Sequence, residues 1–344
     1  MFDKLVGNNH VKDILRRLIA SRRVPNALLF AGENGVGKKR FALELARFFV
    51  CQNPKNAEAC DVCAACRRAD KFNFPKADDR DAFKKVVFSE HSDIGLVLPY
   101  NKNILVDAIR DLETEANFRP YEAAARFFIV DEADKMNESA SNALLKTLEE
   151  PPANSYLFLI TSRPDVLLPT IRSRCQTLRF APVATQEIED YLSKTKNFAP
   201  ADAALSAKLS GGRLGSALET DLEKFRINRA AMLRVLEGIL IKSDRVELLR
   251  AAEEMNDAKN KDEFEARLNI LQTLTHDVWT LCHNAGEKLL INLDIISDLR
   301  KLAANANTKK LAAWLTEIET LRGNFAVNLN RKIAADALFM QMAR

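Results

Sequence analysis

Proline is missing from the last two fifths of this chain. All 11 prolines lie at or before Pro200, so nothing between 201 and 344 forbids continuous helix. Glycine is also scarce there, with only Gly238, Gly286 and Gly323 after residue 220. No run of 18 apolar residues occurs, which excludes an ordinary membrane-spanning helix. The opening MFDKLVGNNH lacks the apolar core of a secretory signal, so a cytoplasmic protein with no membrane partner is expected. Charge of one sign is lacking too. Against 47 acidic residues stand 51 basic ones, and a net charge of +4 neither demands nor forbids a nucleic-acid partner. The six cysteines, in a chain expected to stay in a reducing compartment, point to metal or to burial and away from disulfides.

What is present fits a soluble chain of two or three domains: 344 residues, 47% hydrophobic and 28% charged. In EFEARLNILQTLTHDVWTLC (263–282), Phe264, Leu268, Leu271, Leu274, Val278 and Leu281 recur at threes and fours, and the proline-free tail reads as all-helical. The first 165 residues differ. Short apolar runs, ALLFAG (27–32), RFFIVDE (126–132) and YLFLITS (156–162), alternate with amphipathic helices. One helix carries the stripe Val11, Ile14, Leu15, Leu18 and Ile19. Another carries Ala140, Ala143, Leu144 and Leu148 and is ended by Pro151 and Pro152. Strands alternating with helices predict βαβ units and a parallel sheet. Between 166 and 220 a small helical segment is expected, ending in SGGRLGSA (210–217).

Residues 32–39, GENGVGKK, follow an apolar strand and open a helix, the context of the phosphate loop G-x-x-x-x-G-K-[ST]. Gly32, Gly35 and Gly37 let the backbone curl so that its N–H groups face an anion, and Lys38 would reach the phosphates. Lys39 stands where a hydroxyl should ligate Mg²⁺, and an ammonium has no lone pair to give. A second half-site lies about 95 residues on. There Asp131 and Glu132 end a strand, Asp131 placed to hold Mg²⁺ through water and Glu132 to orient an attacking water.

These residues, with DEADKMNESASNALLKTLEEPP (131–152) and TIRSRC (170–175), resemble the AAA+ clamp-loader family of DNA replication. The resemblance covers nearly the whole chain and is nearest to the delta-prime branch of bacterial DNA polymerase III subunits. It implies a RecA-like α/β AAA+ domain with a parallel sheet (1–165), a three-helix lid (166–220) and an all-α collar (221–344) that joins subunits in a pentameric ring. Val6 and Gly7 in LVGNNHV match the family's adenine-side segment, Thr161 its strand-end polar residue, and NLNRKIAADALF (328–339) its closing helix. Arg174, in Ser173-Arg174-Cys175, matches the arginine finger that acts on a neighbour's nucleotide. Motor subunits carry a hydroxyl at position 39 and an Arg in the lid. Here the lid position is Gly215, with Arg213 two residues early. The resemblance thus implies a stator-like subunit that helps load the sliding clamp onto primer-template DNA, alongside motor and delta-type subunits. ATP with Mg²⁺ is the doubtful cofactor, and an autonomous ATPase motor is the rival reading.

Cys51, Cys60, Cys63 and Cys66 form C-x₈-C-x₂-C-x₂-C, a spacing that turns four thiolates toward one tetrahedral, structural Zn²⁺. An iron–sulfur cluster is a rival, although the ferredoxin-type C-x₂-C-x₂-C-x₃-C-P run is not completed; four metal-free thiols are another. The family also has a zinc module at this point. Arg67, Arg68 and Lys71 nearby suggest nucleic acid, but no interleaved aromatics support it. Cys175 and Cys282 read as buried small hydrophobes, the four histidines as ordinary residues, and 67–87 as a charged insertion without an assigned role.

Overall fold

The computed structural model describes residues 2–242, 261–323 and 331–342. Two compact units share them: Met1–Lys196 with Ser210–Leu218, and Asn197–Leu209 with Glu219–Arg344.

Unit 1 is built on six strands: β1 (Ala27–Ala31), β2 (Val87–Phe88), β3 (Ile94–Val97), β4 (Arg126–Val130), β5 (Ser155–Thr161) and β6 (Gln176–Arg179). Their order is β2-β3-β4-β5-β1-β6, parallel throughout except for β2, which runs against β3. The sheet therefore extends past residue 165, because β6 adds itself to the outer side of β1. The three apolar runs of the sequence are the central strands, and β1 and β4 are buried at every position, as a sheet covered on both faces requires.

Alternation along the strands separates two cores. Leu28, Phe30, Phe127, Ile129, Phe158 and Ile160 face helices α1 (Asn9–Ala20) and α2 (Lys38–Val50), whose Val11, Leu15, Phe41 and Leu45 fill that side. Leu29, Phe128, Val130, Leu157 and Leu159 face the other way. They meet Ile109 and Leu112 of α4 (Val106–Ala116), Ala140 and Leu144 of α5 (Glu138–Glu149) and Ile171 of α6 (Pro169–Arg174). Between α2 and β2 the short α3 (Ala64–Arg68) belongs to the cysteine segment. After β6 come α7 (Thr185–Lys196) and, beyond α8 (Pro200–Leu209) of unit 2, α9 (Leu214–Glu219).

Unit 2 is helical. Besides α8 it contains α10 (Leu222–Glu237), continued by a π-helical turn (Gly238–Lys242), α11 (Lys261–Cys282), α12 (Ile296–Ala304), α13 (Thr308–Gly323) and α14 (Arg331–Met342). The stripe read from sequence lies on α11. Phe264, Leu268, Leu271, Leu274 and Val278 pack against Met232, Leu236, Leu299, Leu302, Trp314, Ile318 and Phe339, with Leu281 at the margin. Of the closing segment 328–339, residues 328–330 lie outside the described residues; the rest begins α14.

The end of the sheet where β4 begins is held by buried charge. Asp93, fully buried, accepts hydrogen bonds from the backbone N–H groups of Tyr121, Glu122 and Ala123 at 2.7, 2.9 and 2.9 Å. Arg126, also fully buried, donates to the Glu115 carbonyl at 2.7 Å and to its carboxylate at 2.9 Å. Its guanidinium lies 5.1–5.4 Å from the ring centroids of Phe88, Tyr121 and Phe128. His91 joins this cluster, kept neutral by burial, with Nδ1 accepting from the Asp93 N–H. Removing one member strands the others. Asp93→Ala is expected to destabilise unit 1 by about 3–5 kcal/mol, the usual cost of leaving buried charge and N–H groups unpaired. Both tryptophans, Trp279 and Trp314, lie in unit 2. A urea titration of the variant should show far-ultraviolet circular dichroism falling early while tryptophan fluorescence keeps its wild-type midpoint; coincident wild-type transitions would reject the assignment.

Candidate functional site

The phosphate loop joins the carboxyl end of β1 to α2. Gly35 and Gly37 take left-handed φ values of 82° and 98°, which glycine adopts without strain. Gly32 is needed for a different reason: a Cβ there would lie 2.5 Å from the Phe180 carbonyl oxygen. Lys38 is almost fully buried, and its Nζ donates to the carbonyls of Gly32 and Glu33, 2.6 Å each. Burial lowers its pKa, against the pull of Asp131, Asp134, Glu33 and Glu132.

Lys39 points to the acidic strand end. Its Nζ lies 3.1 Å from Asp131 Oδ2 and 5.6 Å from the centre of the Phe74 ring. The ammonium therefore pairs with the carboxylate that would have to serve a divalent ion. The residues present do not fit Mg²⁺: the loop offers no hydroxyl at position 39, and the strand-end carboxylate is already paired with a cation. Glu132 has a left-handed backbone (φ 50°) and is ion-paired to Lys135. Thr161 is buried, and its hydroxyl donates to Asp134 Oδ1 at 2.8 Å while accepting from the Arg163 N–H at 3.0 Å. Burial pushes the Asp134 carboxyl up, but Thr161, Arg163 and the Ser162 N–H outweigh it and hold it below the usual range. Asp134 thus organises this corner. Sequence reading passed over it, though it sits inside the quoted DEAD.

The lid side closes directly on the loop. The N–H of Gly215 donates to the carbonyl of Gly35 at 2.8 Å, and a Cβ on Gly215 would lie 3.2 Å from Gly35 Cα. Position 215, a glycine where the resemblance expects an Arg, thus meets the loop by backbone-to-backbone contact. Arg213 turns back, its Nε donating to the Ser210 carbonyl at 2.8 Å. On the adenine-side segment, Val6 is half-buried and Gly7 packs on Val183 so tightly that a Cβ would come within 2.6 Å of it. Asn8 then bridges the Ala181 N–H and carbonyl at 2.8 and 3.1 Å.

Arg174 lies elsewhere. It ends α6, two residues before β6, whose Gln176 pairs with Leu28 and whose Arg179 pairs with Ala31. The loop leaves β1 at Ala31, so Arg174 stands at the opposite end of the β1–β6 pair from Lys38. Four residues of parallel strand span about 13 Å. Exposed, Arg174 donates to the Thr170 carbonyl at 3.0 Å and pairs with Glu149 at 2.8 Å.

The four cysteines converge as their spacing predicts. Cys51 caps the end of α2 and Cys63 the start of α3, and all four Sγ atoms lie within 4.8 Å of one another. Tetrahedral Zn–S bonds of about 2.3 Å put sulfurs about 3.8 Å apart; Cys60 and Cys66 Sγ stand at 4.0 Å. Backbone N–H groups of Cys60, Cys63 and Cys66 donate to the sulfurs of Cys51, Cys60 and Cys63. The N–H groups of Val62 and Cys63 bring the Cys60 thiol down to about 6, whereas burial pushes Cys66 up. The cluster can hold a metal ion such as zinc. Arg68 anchors the module through a two-point bond to Glu122 at 2.9 and 2.7 Å, and Lys71 faces Glu90 at 3.6 Å, so these cations are engaged within the fold. Cys175 is buried, its thiol raised to about 12, and Cys282 donates to the Ala303 carbonyl at 3.5 Å.

Two family models match the chain: "DNA polymerase III, delta subunit" over residues 7–184 and "DNA polymerase III, delta subunit, C terminal" over 225–342. DNA polymerase III subunit delta′ of Bacillus subtilis (strain 168) is 28% identical over 320 residues, covering 93% of this chain and 91% of that protein. The delta′ subunit of Escherichia coli (strain K12) is 29% identical over 334 residues, 95% and 92% of the two chains. That of Pseudomonas aeruginosa (strain PAO1) is 32% identical over 327 residues, 92% of each. Matched through both its units by models and relatives alike, the chain belongs to the DNA polymerase III delta′ family of clamp-loader subunits.

Proposed function

We propose that this chain is a stator-like subunit of the bacterial clamp loader, which supplies Arg174 in trans to a neighbouring ATP site and does not turn over ATP itself. The observation that carries the reading is the 3.1 Å contact between the Lys39 ammonium and Asp131. A motor needs a divalent ion at that carboxylate to bridge the β- and γ-phosphates. Here a tethered cation stands against it, Glu132 is paired with Lys135, and Thr161 is committed to Asp134. The partners of this role are motor and delta-type subunits in a pentameric ring, with the sliding clamp and primer-template DNA engaged through the complex in the cytoplasm. Among the described residues no helix is long and apolar enough to cross a membrane. Functionally the chain is read as a nucleotide-binding-type domain whose sheet runs on through β6 to Arg179, a lid segment that ends near residue 220, and a collar (221–344) that packs helix against helix between subunits.

The position of Arg174 supports action in trans, because the strand register separates it from its own phosphate loop. A guanidinium stays charged and can grip two phosphate oxygens as charge redistributes. Arg174→Ala should leave assembly intact, as read by size-exclusion chromatography, and should slow steady-state ATP hydrolysis by the reconstituted loader with clamp and primed DNA. Arginine fingers contribute about 10³–10⁵ in rate at a site that depends on them, and a ring with several active sites loses less in total. Wild-type turnover in the variant complex would remove the finger from this reading.

The cysteine module is assigned structural Zn²⁺, since four sulfurs leave no coordination position for water. Protein purified without chelator should contain one zinc per chain, with Zn–S distances of about 2.3 Å by X-ray absorption. Cys63→Ser should lower zinc content and melting temperature together. Metal-free wild-type protein with an unchanged melting temperature would sink the assignment.

A further inference from the structure

The surroundings of Lys39 form a second built feature of the phosphate loop. Phe74 is 59% exposed yet held in place, its ring stacked on Phe72 at 5.8 Å and 21°, and its face lies towards the Lys39 ammonium. Phe72 is tied to the sheet by a bridge to Ser89. The charged insertion that had no role thus contributes one wall of the site. Lys39 is held between this aromatic face and the Asp131 carboxylate, beside a loop whose Lys38 rests on the main-chain carbonyls of Gly32 and Glu33.

We propose that residues 32–39 form a metal-independent site for a di- or triphosphate chain, in which Lys39 does the electrostatic work of the divalent ion and keeps that ion out. A bare diphosphate brought to this loop would be repelled by Asp131. The Lys39 ammonium stands between the two and neutralises the carboxylate, as Mg²⁺ does in a motor. Lys38 exchanges its bonds to the Gly32 and Glu33 carbonyls for phosphate oxygens, with which an ammonium makes stronger, charge-assisted bonds. Mg²⁺ brings no gain. It would have to displace an ammonium from Asp131, and it would find no hydroxyl at position 39 of the loop. Position 39 therefore inverts the usual metal requirement.

This inference rests on the reading of residues 32–39 as a phosphate loop. It is separable from the stator reading, because Arg174 is tested at a neighbour's site and this at the chain's own. The test is calorimetry on the full-length protein with ADP, ATP and inorganic pyrophosphate, each in EDTA and in excess Mg²⁺. Wild type should bind in EDTA, and Mg²⁺ should weaken that binding. Pyrophosphate binding as well as ADP assigns recognition to the phosphate chain alone; ADP without pyrophosphate assigns it to a nucleotide. Lys39→Thr should reverse the sign of the Mg²⁺ effect, and Lys39→Arg should keep it. Lys39→Met should weaken binding in EDTA by about 10- to 100-fold, the worth of one hydrogen bond to a charged group, with no response to Mg²⁺. Absence of binding in EDTA by the wild type, or wild-type binding that requires Mg²⁺, overturns the proposal. Should a variant fail to fold, the wild-type comparison alone decides it.

Discussion

Parallel pairing of β1 with β5 and β6 gives the sheet two ends of different chemistry, and the phosphate loop, the acidic pair, Thr161 and Arg174 take their places from that polarity. At the carboxyl ends, Ala31 pairs with Thr161 and with Arg179, while β4 delivers Asp131 just beyond Val130. The phosphate loop, the acidic pair and the strand-end threonine therefore share one edge. At the amino ends lie Arg174 and the Asp93–Arg126 cluster. A parallel sheet buried on both faces cannot slip by one residue without turning its two cores inside out, which fixes β1, β4 and β5 and with them the loop and the acidic pair.

Much of this was legible in the sequence, for reasons that differ from element to element. The three central strands announced themselves because a strand buried on both faces must be apolar at every position, as ALLFA and RFFIV are. The outer strands gave no such signal. β2 has two residues, and β6 exposes three of its four, so neither shows a buried run. Cysteine spacing was readable because two-residue gaps have few other uses. The mismatch at Lys39 was readable as a missing hydroxyl, but where the ammonium goes was not. Its contact with Asp131 joins residues 92 positions apart, and its contact with Phe74 depends on the path of the insertion. The lid presented the same limit: sequence supplied a glycine in place of an arginine, and only the fold shows that glycine seated on Gly35.

Each unit also uses one fully buried carboxylate to fix an irregular segment to regular structure. Asp93 gathers three successive N–H groups from 121–123 at the start of β4. In unit 2, Asp277 in α11 accepts from the N–H groups of Ile291 and Asn292 and from the Asn292 amide. Arg229 extends the second cluster, binding both Asn292 and the carboxylate of Asp294. A buried carboxylate is tolerated only when its oxygens are filled by donors, and both sites meet that condition with backbone groups that have no helix or strand partner. The loops so pinned lead directly into elements that matter elsewhere, β4 with its terminal Asp131 in one unit and α12 in the other.

The contact between Gly215 and Gly35 has a consequence for how such a chain can change over time. With no side chain on either residue, lid helix and loop meet main chain to main chain, and any larger residue at 215 must push Gly35 aside. An exchange at position 39 leaves this contact in place, and an exchange at 215 leaves the ammonium on Asp131. Two glycines touching thus couple the residue allowed at position 215 to the path of the phosphate loop.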